Sequence, residues 1–205
     1  IVFDEGHHLF DAADSAFSGH LTALETAELR RWLRGPETER RRGRGLVDRI
    51  GDLVADNEAA ETLVQKVLQA AYALPGPGWT RRVQAGTPEG VAEHFLSVVR
   101  QQVLARAEQN AGNSIETDCV PLVDGLAEAA EDLATALHDL KRPMTRLAEA
   151  LAKKLDDEAQ ELSTYDRGRI EAVSRSLMKR GELMVGGWID MLARLLETKN
   201  PLFVE

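Results

Sequence analysis

One cysteine, Cys119, stands in 205 residues. It excludes an intrachain disulfide and any cluster built from this chain's cysteines alone. Aromatic residues make up only 5% of the chain, which disfavours strands, since these draw on aromatic and β-branched side chains. No apolar run approaches the roughly 20 residues a membrane-spanning helix needs, and no signal-peptide pattern opens the chain. The expectation is a cytoplasmic chain with no membrane partner. No Gly-Lys dipeptide occurs, so the phosphate-cradling G-x-x-x-x-G-K-[ST] loop is missing from these residues. There is no G-x-G-x-x-G either.

What is abundant is Ala, Leu, Glu and Arg, a mixture that favours helix. The net charge of −9 argues against a surface given over to nucleic acid, but local sign matters more than the total. Arg30, Arg31, Arg34, Arg40, Arg41, Arg42, Arg44 and Arg49 crowd one short stretch against Glu37, Glu39 and Asp48, whereas residues 116–161 are mainly acidic.

The pattern along the chain is all-α. Thr22-Ala-Leu-Glu25 fits a capping box for a helix that Gly35-Pro36 ends. A second helix is expected from Glu37, carrying the arginines, weakened at Gly43 and Gly45, and resuming through Leu46, Ile50 and Val54. Asn57 caps a third, reaching Leu74. Pro75-Gly-Pro-Gly78 is the clearest loop signal, with Trp79–Gln84 short and extended or irregular. Thr87-Pro88 reads as N-cap and first helical position of the next helix, which runs to Glu108. Asn110–Ser114 reads as a second loop. Three long helices follow, near Pro121–Leu140, Pro143–Leu162 and Asp166–Glu197. Leu126, Leu133, Leu137 and Leu140, then Leu147, Leu151, Leu155 and Leu162, form near-heptad stripes that predict a long antiparallel hairpin or bundle. Gly186-Gly187 predicts a close crossing or a kink.

The residues with the most chemistry open the chain. An apolar β-type run, Ile1-Val2-Phe3, ends in Asp4-Glu5, with His7 two residues on. A carboxylate at a strand tip can hold magnesium, and a second beside it can orient or deprotonate an attacking water. Without His7 at the fourth position, an acidic pair after a buried strand is an ordinary surface feature. Metal ligation by Glu5, His7 and His8 is a weaker reading, because adjacent histidines on a turn rarely reach one ion and zinc sites favour i, i+4 spacing. His20, His94 and His138 stand alone in helical segments and read as structural or solvated.

Two sets of residues could meet nucleic acid. Arg40, Arg41, Arg42 and Arg44 could supply salt-sensitive phosphate contacts; the alternative is a solvated face balanced by Glu37 and Glu39. Trp79, in the Pro/Gly loop, could stack on an unpaired base, while Trp32 and Trp188 fall on amphipathic stripes and read as core. Cys119 and Ser114 have no base near them in sequence.

The run Asp4-Glu5-Gly6-His7-His8-Leu9-Phe10-Asp11 resembles the D-E-A-H-x-L segment of the XPD/DinG family of ATP-dependent DNA helicases, with Gly6 for the usual Ala. Its continuation, residues 12–21, is similar to bacterial DinG-like members. In that family a helical insertion, the arch domain, follows this motif. The resemblance implies a remnant of the motor domain at 1–8, a helical arch-like domain at 9–200 and the start of a return to the motor at 201–205. It implies catalytic roles for Asp4, Glu5 and His7: Asp4 coordinating magnesium, Glu5 activating water, His7 coupling nucleotide state to DNA contact. ATP and magnesium are the implied cofactors, with an iron–sulfur cluster possible only outside this chain. Single-stranded DNA and the remaining motor domains are the implied partners. The chain, beginning on a strand with no initiator Met, reads as a piece of a larger enzyme with no ATPase activity of its own. The other open reading is an all-helical interaction or scaffold module in which Asp4-Glu5 is incidental.

Overall fold

The computed structural model describes residues 20–37, 43–106 and 117–197. The opening strand, the Asn110–Ser114 loop and the closing segment lie outside these residues. Among the described residues the structure is helical throughout, with no strand.

Helix α1 (Ala23–Arg34) begins as its capping box dictates. Thr22 Oγ1 accepts from the Glu25 amide at 3.2 Å, and Gly35, at φ 85°, ends the helix with its amide on the Arg31 carbonyl. Helix α2 (Leu46–Val54) starts only after Gly45. The helix expected from Glu37 is therefore corrected: Glu37 and Gly43–Gly45 are not helical. The reason is steric. A Cβ on Gly45 would lie 2.7 Å from the Gly35 amide nitrogen and 2.8 Å from the Arg34 carbonyl carbon. Gly35 and Gly45 thus form a neck at which the end of α1 and the start of α2 meet backbone to backbone. Asn57 caps α3 (Glu58–Ala70) through its side chain, 3.0 Å from the Ala60 amide, and a 3-10 turn (Ala71–Ala73) carries the chain to the Pro75–Gly78 loop.

Trp79–Ala85 is a short helix, α4, not the extended piece expected. Gly78 at φ 81° and Gly86 at φ 71° bracket it, so left-handed glycines on both sides set its limits. Helix α5 (Gly90–Leu104) begins at Gly90, after Glu89, rather than at Thr87-Pro88.

The largest correction concerns Pro143. It was expected to start a helix; instead it lies inside α6 (Leu126–Asp157), a single helix of 32 residues. An interior proline loses one backbone hydrogen bond and crowds the preceding turn, at about 3 kcal/mol. What offsets this is burial. Leu133, Leu137, Leu140, Met144, Leu147 and Leu151 step in strict 4-3-4-3-4 spacing across the proline, and each is at most 1% exposed. At roughly 1.5–3 kcal/mol for each such side chain, the stripe outweighs the local penalty.

Helix α7 (Thr164–Lys179) returns antiparallel after a short connection capped by Ser163, whose Oγ accepts from the Asp166 amide. The helix expected from Asp166 to Glu197 is interrupted by one π-helical stretch (Arg180–Val185) before α8 (Gly186–Glu197). The close crossing expected of the glycines is there, shared between Gly181, whose Cβ would sit 3.6 Å from Thr145 Oγ1, and Gly186, whose Cβ would sit 3.4 Å from Lys141 Nζ. Gly187 faces open space. Helix α6 is the central rod: α3, α5, α7 and α8 all pack on it. One continuous apolar core runs from Leu29 to Leu192. No helix among the described residues is long and apolar enough to cross a membrane.

Candidate nucleic-acid interface

Of the residues singled out in the sequence, Asp4, Glu5, His7, Arg40, Arg41 and Arg42 lie outside the described residues. Arg44 and Trp79 are described. Arg44 is exposed beside the Gly35–Gly45 neck, and its carbonyl accepts from Arg49 Nε at 3.2 Å. Trp79 is half-buried at the start of α4. It lines a cleft of about 320 Å³ with Arg30, Arg31, Glu37 and Gly76. The neck thus joins the two candidates: Gly35-Pro36-Glu37 on one side of it lines the cleft with Trp79, and Arg44 adjoins it on the other.

The arginines of α1 are not alike. Arg30 grips Glu37 with two bonds, Nε to Oε1 at 2.7 Å and Nη2 to Oε2 at 2.8 Å. Its Nη1 donates to the Leu74 and Tyr72 carbonyls at 2.6 and 3.2 Å. Arg34 lies over the Tyr72 ring, 3.5 Å from its centroid, and donates to the Leu68 carbonyl at 2.8 Å. Both are braces that tie α1 to the turn after α3, so neither is available for phosphate. The Arg30 hydrogen bonds hold the Glu37 carboxyl below the ordinary glutamate range, against burial and with help from the charges of Arg30 and Arg34. Arg31 points outward, with only a 3.6 Å contact to Glu28.

The loop carrying Trp79 is fixed from below by Glu93, a carboxylate 1% exposed. Glu93 accepts from Arg82 Nε at 2.8 Å and Nη2 at 2.5 Å, from the Gly76 amide at 3.2 Å and from the Glu89 amide at 2.9 Å. One side chain therefore joins the Pro75–Gly78 loop, α4 and the start of α5. Burial pushes the Glu93 carboxyl up, but Arg82 and the two backbone amides pull harder, and it stays below the ordinary range. Sequence reading passed over Glu93; the available signal was a charge lodged between buried Ala92 and Phe95. Gln102 was passed over in the same way. It is 3% exposed, its Nε2 lies 3.1 Å from the carbonyls of Asp118, Cys119 and Pro121, and its Oε1 accepts from the Val123 amide at 2.7 Å.

Trp188 is core, at 2% exposed. Trp32 is only half-buried: it packs against the core and also carries the Arg180 and Arg49 guanidiniums 4.5 and 5.6 Å from its ring centroid. His94 and His138 are exposed, and Cys119 is an exposed free thiol. Chemically, a half-buried indole at the start of α4, sharing a cleft with the outward-facing Arg31, suits contact with an unstacked base and its phosphate. No protein-family model, no curated protein and no solved structure matches this chain.

Proposed function

We propose that this chain is the helical insertion of an ATP-dependent DNA helicase of the XPD/DinG type, and that it guides single-stranded DNA while the motor hydrolyses ATP. One observation carries the reading: the Asp4-Glu5-Gly6-His7 motif after an apolar run is followed by a large unit that is helical throughout its described residues. On this reading the phosphate loop is supplied by the rest of the enzyme. Adjacent carboxylates after a strand-forming run are a suitable donor set for magnesium, held by Asp4 mostly through water, and the ion would neutralise charge on the transferred phosphoryl group. Glu5 takes the proton of the attacking water, and His7 links the nucleotide state to DNA-contacting parts. Arg44 and Trp79, with Arg40, Arg41 and Arg42, are the candidate DNA contacts.

The test is an ATPase assay of the isolated chain with and without single-stranded DNA. Turnover at background is the expected result, and substantial turnover sinks the reading.

A second reading, an interaction module, draws on one feature. A groove of about 600 Å³ between α6 and α7 is lined by Ala148, Ala152, Leu155, Met178 and Leu183 among others, and Leu183 is 70% exposed. Grooves of this kind can take an amphipathic helix. The parent gene separates the readings: a G-x-x-x-x-G-K-[ST] loop upstream and motor motifs downstream support the helicase, and their absence supports the module.

A further inference from the structure

The sharpest electrostatic anomaly lies around Trp32, away from the Trp79 cleft. Arg180 opens the π-helical stretch and Arg49 sits in α2, and both guanidiniums approach the Trp32 ring, at 4.5 and 5.6 Å. Neither arginine forms an ion pair with a described carboxylate, although Asp48 and Asp52 stand near Arg49 in sequence, Glu182 near Arg180, and Glu25 lines a pocket with Arg180. Each of those acids is committed elsewhere. Asp52 is held by Arg169 through two bonds, at 2.6 and 2.8 Å. Asp48 accepts from the Gly45 amide at 3.0 Å. Glu182 pairs with Lys141 at 2.8 Å and Thr145 at 3.0 Å. Glu25 takes the Thr22 hydroxyl at 2.9 Å.

The result is two like charges in a partly desolvated setting, braced by an indole and not neutralised by a described carboxylate. Burial holds Arg180 below the ordinary arginine range, and the charge of Arg49 pushes it the same way. Such a pair is costly unless an anion joins it. Space for one is present beside Arg180, which lines a pocket of about 490 Å³ with His20, Glu25, Lys179, Met184 and Trp188; Arg49 reaches the shared Trp32 ring from α2 and does not itself line that pocket. Lys179 adds a third, exposed cation with no described acid on it. Interruption of a helix by a π turn is frequent at functional sites, and here the turn begins at the arginine in question.

We infer that Arg49 and Arg180, held over Trp32, form a binding site for a phosphate group. A guanidinium fork matches phosphate oxygens in pairs; Arg49 has its Nε on the Arg44 carbonyl and its two terminal nitrogens left for a ligand, and Glu25, the carboxylate at the pocket, takes the Thr22 hydroxyl. The site stands independently of the helicase reading. A phosphate group can come from the backbone of single-stranded nucleic acid or from a small phosphate-bearing molecule, and the experiment separates the two.

The whole chain is titrated with a 15-nucleotide deoxythymidine strand and, separately, with inorganic phosphate, following tryptophan emission. The variants are Arg49→Gln, Arg180→Gln and their combination, with Trp32→Phe identifying the reporting indole. Binding of at least one probe is expected, weakened about tenfold by either substitution. If the strand binds, the slope of log affinity against log salt should fall by about 0.7 in the double variant, the value for one lost phosphate contact on a single strand. Binding of inorganic phosphate alone supports the site and assigns it to a small ligand. Arg49 is only half-buried in α2, and its variant keeps the test valid should Arg180→Gln fail to fold. Binding of neither probe, or binding unchanged in Arg49→Gln and in the double variant, overturns the inference.

Discussion

Arg82 donates to buried Glu93 through Nε at 2.8 Å and Nη2 at 2.5 Å, spanning the corner between α4 and α5. This pair, more than the Pro/Gly sequence of the loop, holds Trp79 in place, because the same carboxylate also takes the Gly76 amide. Glu93→Ala leaves Arg82 and two amides without their acceptor, and should cost about 3 kcal/mol in urea unfolding, the lower end for breaking a buried pair. Because the folded-state carboxyl sits below its ordinary range, its contribution is complete above the unfolded-state value and is lost as pH falls through the folded one. Wild-type stability should therefore fall on acidification below the ordinary glutamate range, with a shallower fall in Glu93→Gln.

The Gly35–Gly45 neck is tested by Gly45→Ala. The added methyl meets three backbone atoms of the Arg34–Gly35 peptide, at 2.7, 2.8 and 2.9 Å, and backbone cannot yield as a flexible side chain does. A loss of about 1–3 kcal/mol is expected, typical of forced overpacking. Gly86→Ala is the contrast: its Cβ meets nothing within 4 Å, so its cost comes only from the φ of 71°. Thermal melts of both variants check the difference.

Pro143 should prove dispensable. Pro143→Ala restores a helical N–H and removes the clash with the preceding turn, worth up to about 3 kcal/mol, while losing part of the buried ring. A net stabilisation of about 1–2 kcal/mol is expected by denaturant titration, and destabilisation would show that the ring packs better than its place in the heptad stripe requires.

For the Trp79 cleft, changing Arg40, Arg41, Arg42 and Arg44 together to Ala should weaken single-strand binding and flatten its salt dependence. Trp79→Ala should weaken it by about 1–3 kcal/mol with the salt slope unchanged, as stacking predicts. Gel-shift titrations at several salt concentrations distinguish the two, and no change in either variant removes the cluster and the indole from the DNA path.

The helical class, the Thr22 and Asn57 caps, the Gly35 stop and the α6–α7 hairpin were legible in the sequence because each depends on neighbours within a turn or on a repeated apolar step. Pro143 was misread because a local rule was applied where a six-residue buried stripe overrides it. The sequence places Arg30 and Arg34 in the same basic stretch as the candidate contacts, but they spend their donors on carbonyls 42, 44 and 34 residues away, which no local pattern reveals. Trp32 was assigned to the core for the same reason: Arg180, which stands over it, lies on a distant helix. Trp79 was marked by its loop, yet the carboxylate that fixes the loop was hidden in a helix.

The most direct measurement of the proposed function is single-strand-stimulated ATP hydrolysis by a protein that contains this segment, with and without Glu5→Gln. If Glu5 is the proposed general base, its removal lowers turnover about 100-fold or more while nucleotide binding persists. Unchanged turnover in Glu5→Gln, or a parent protein with no DNA-stimulated hydrolysis, would contradict the account.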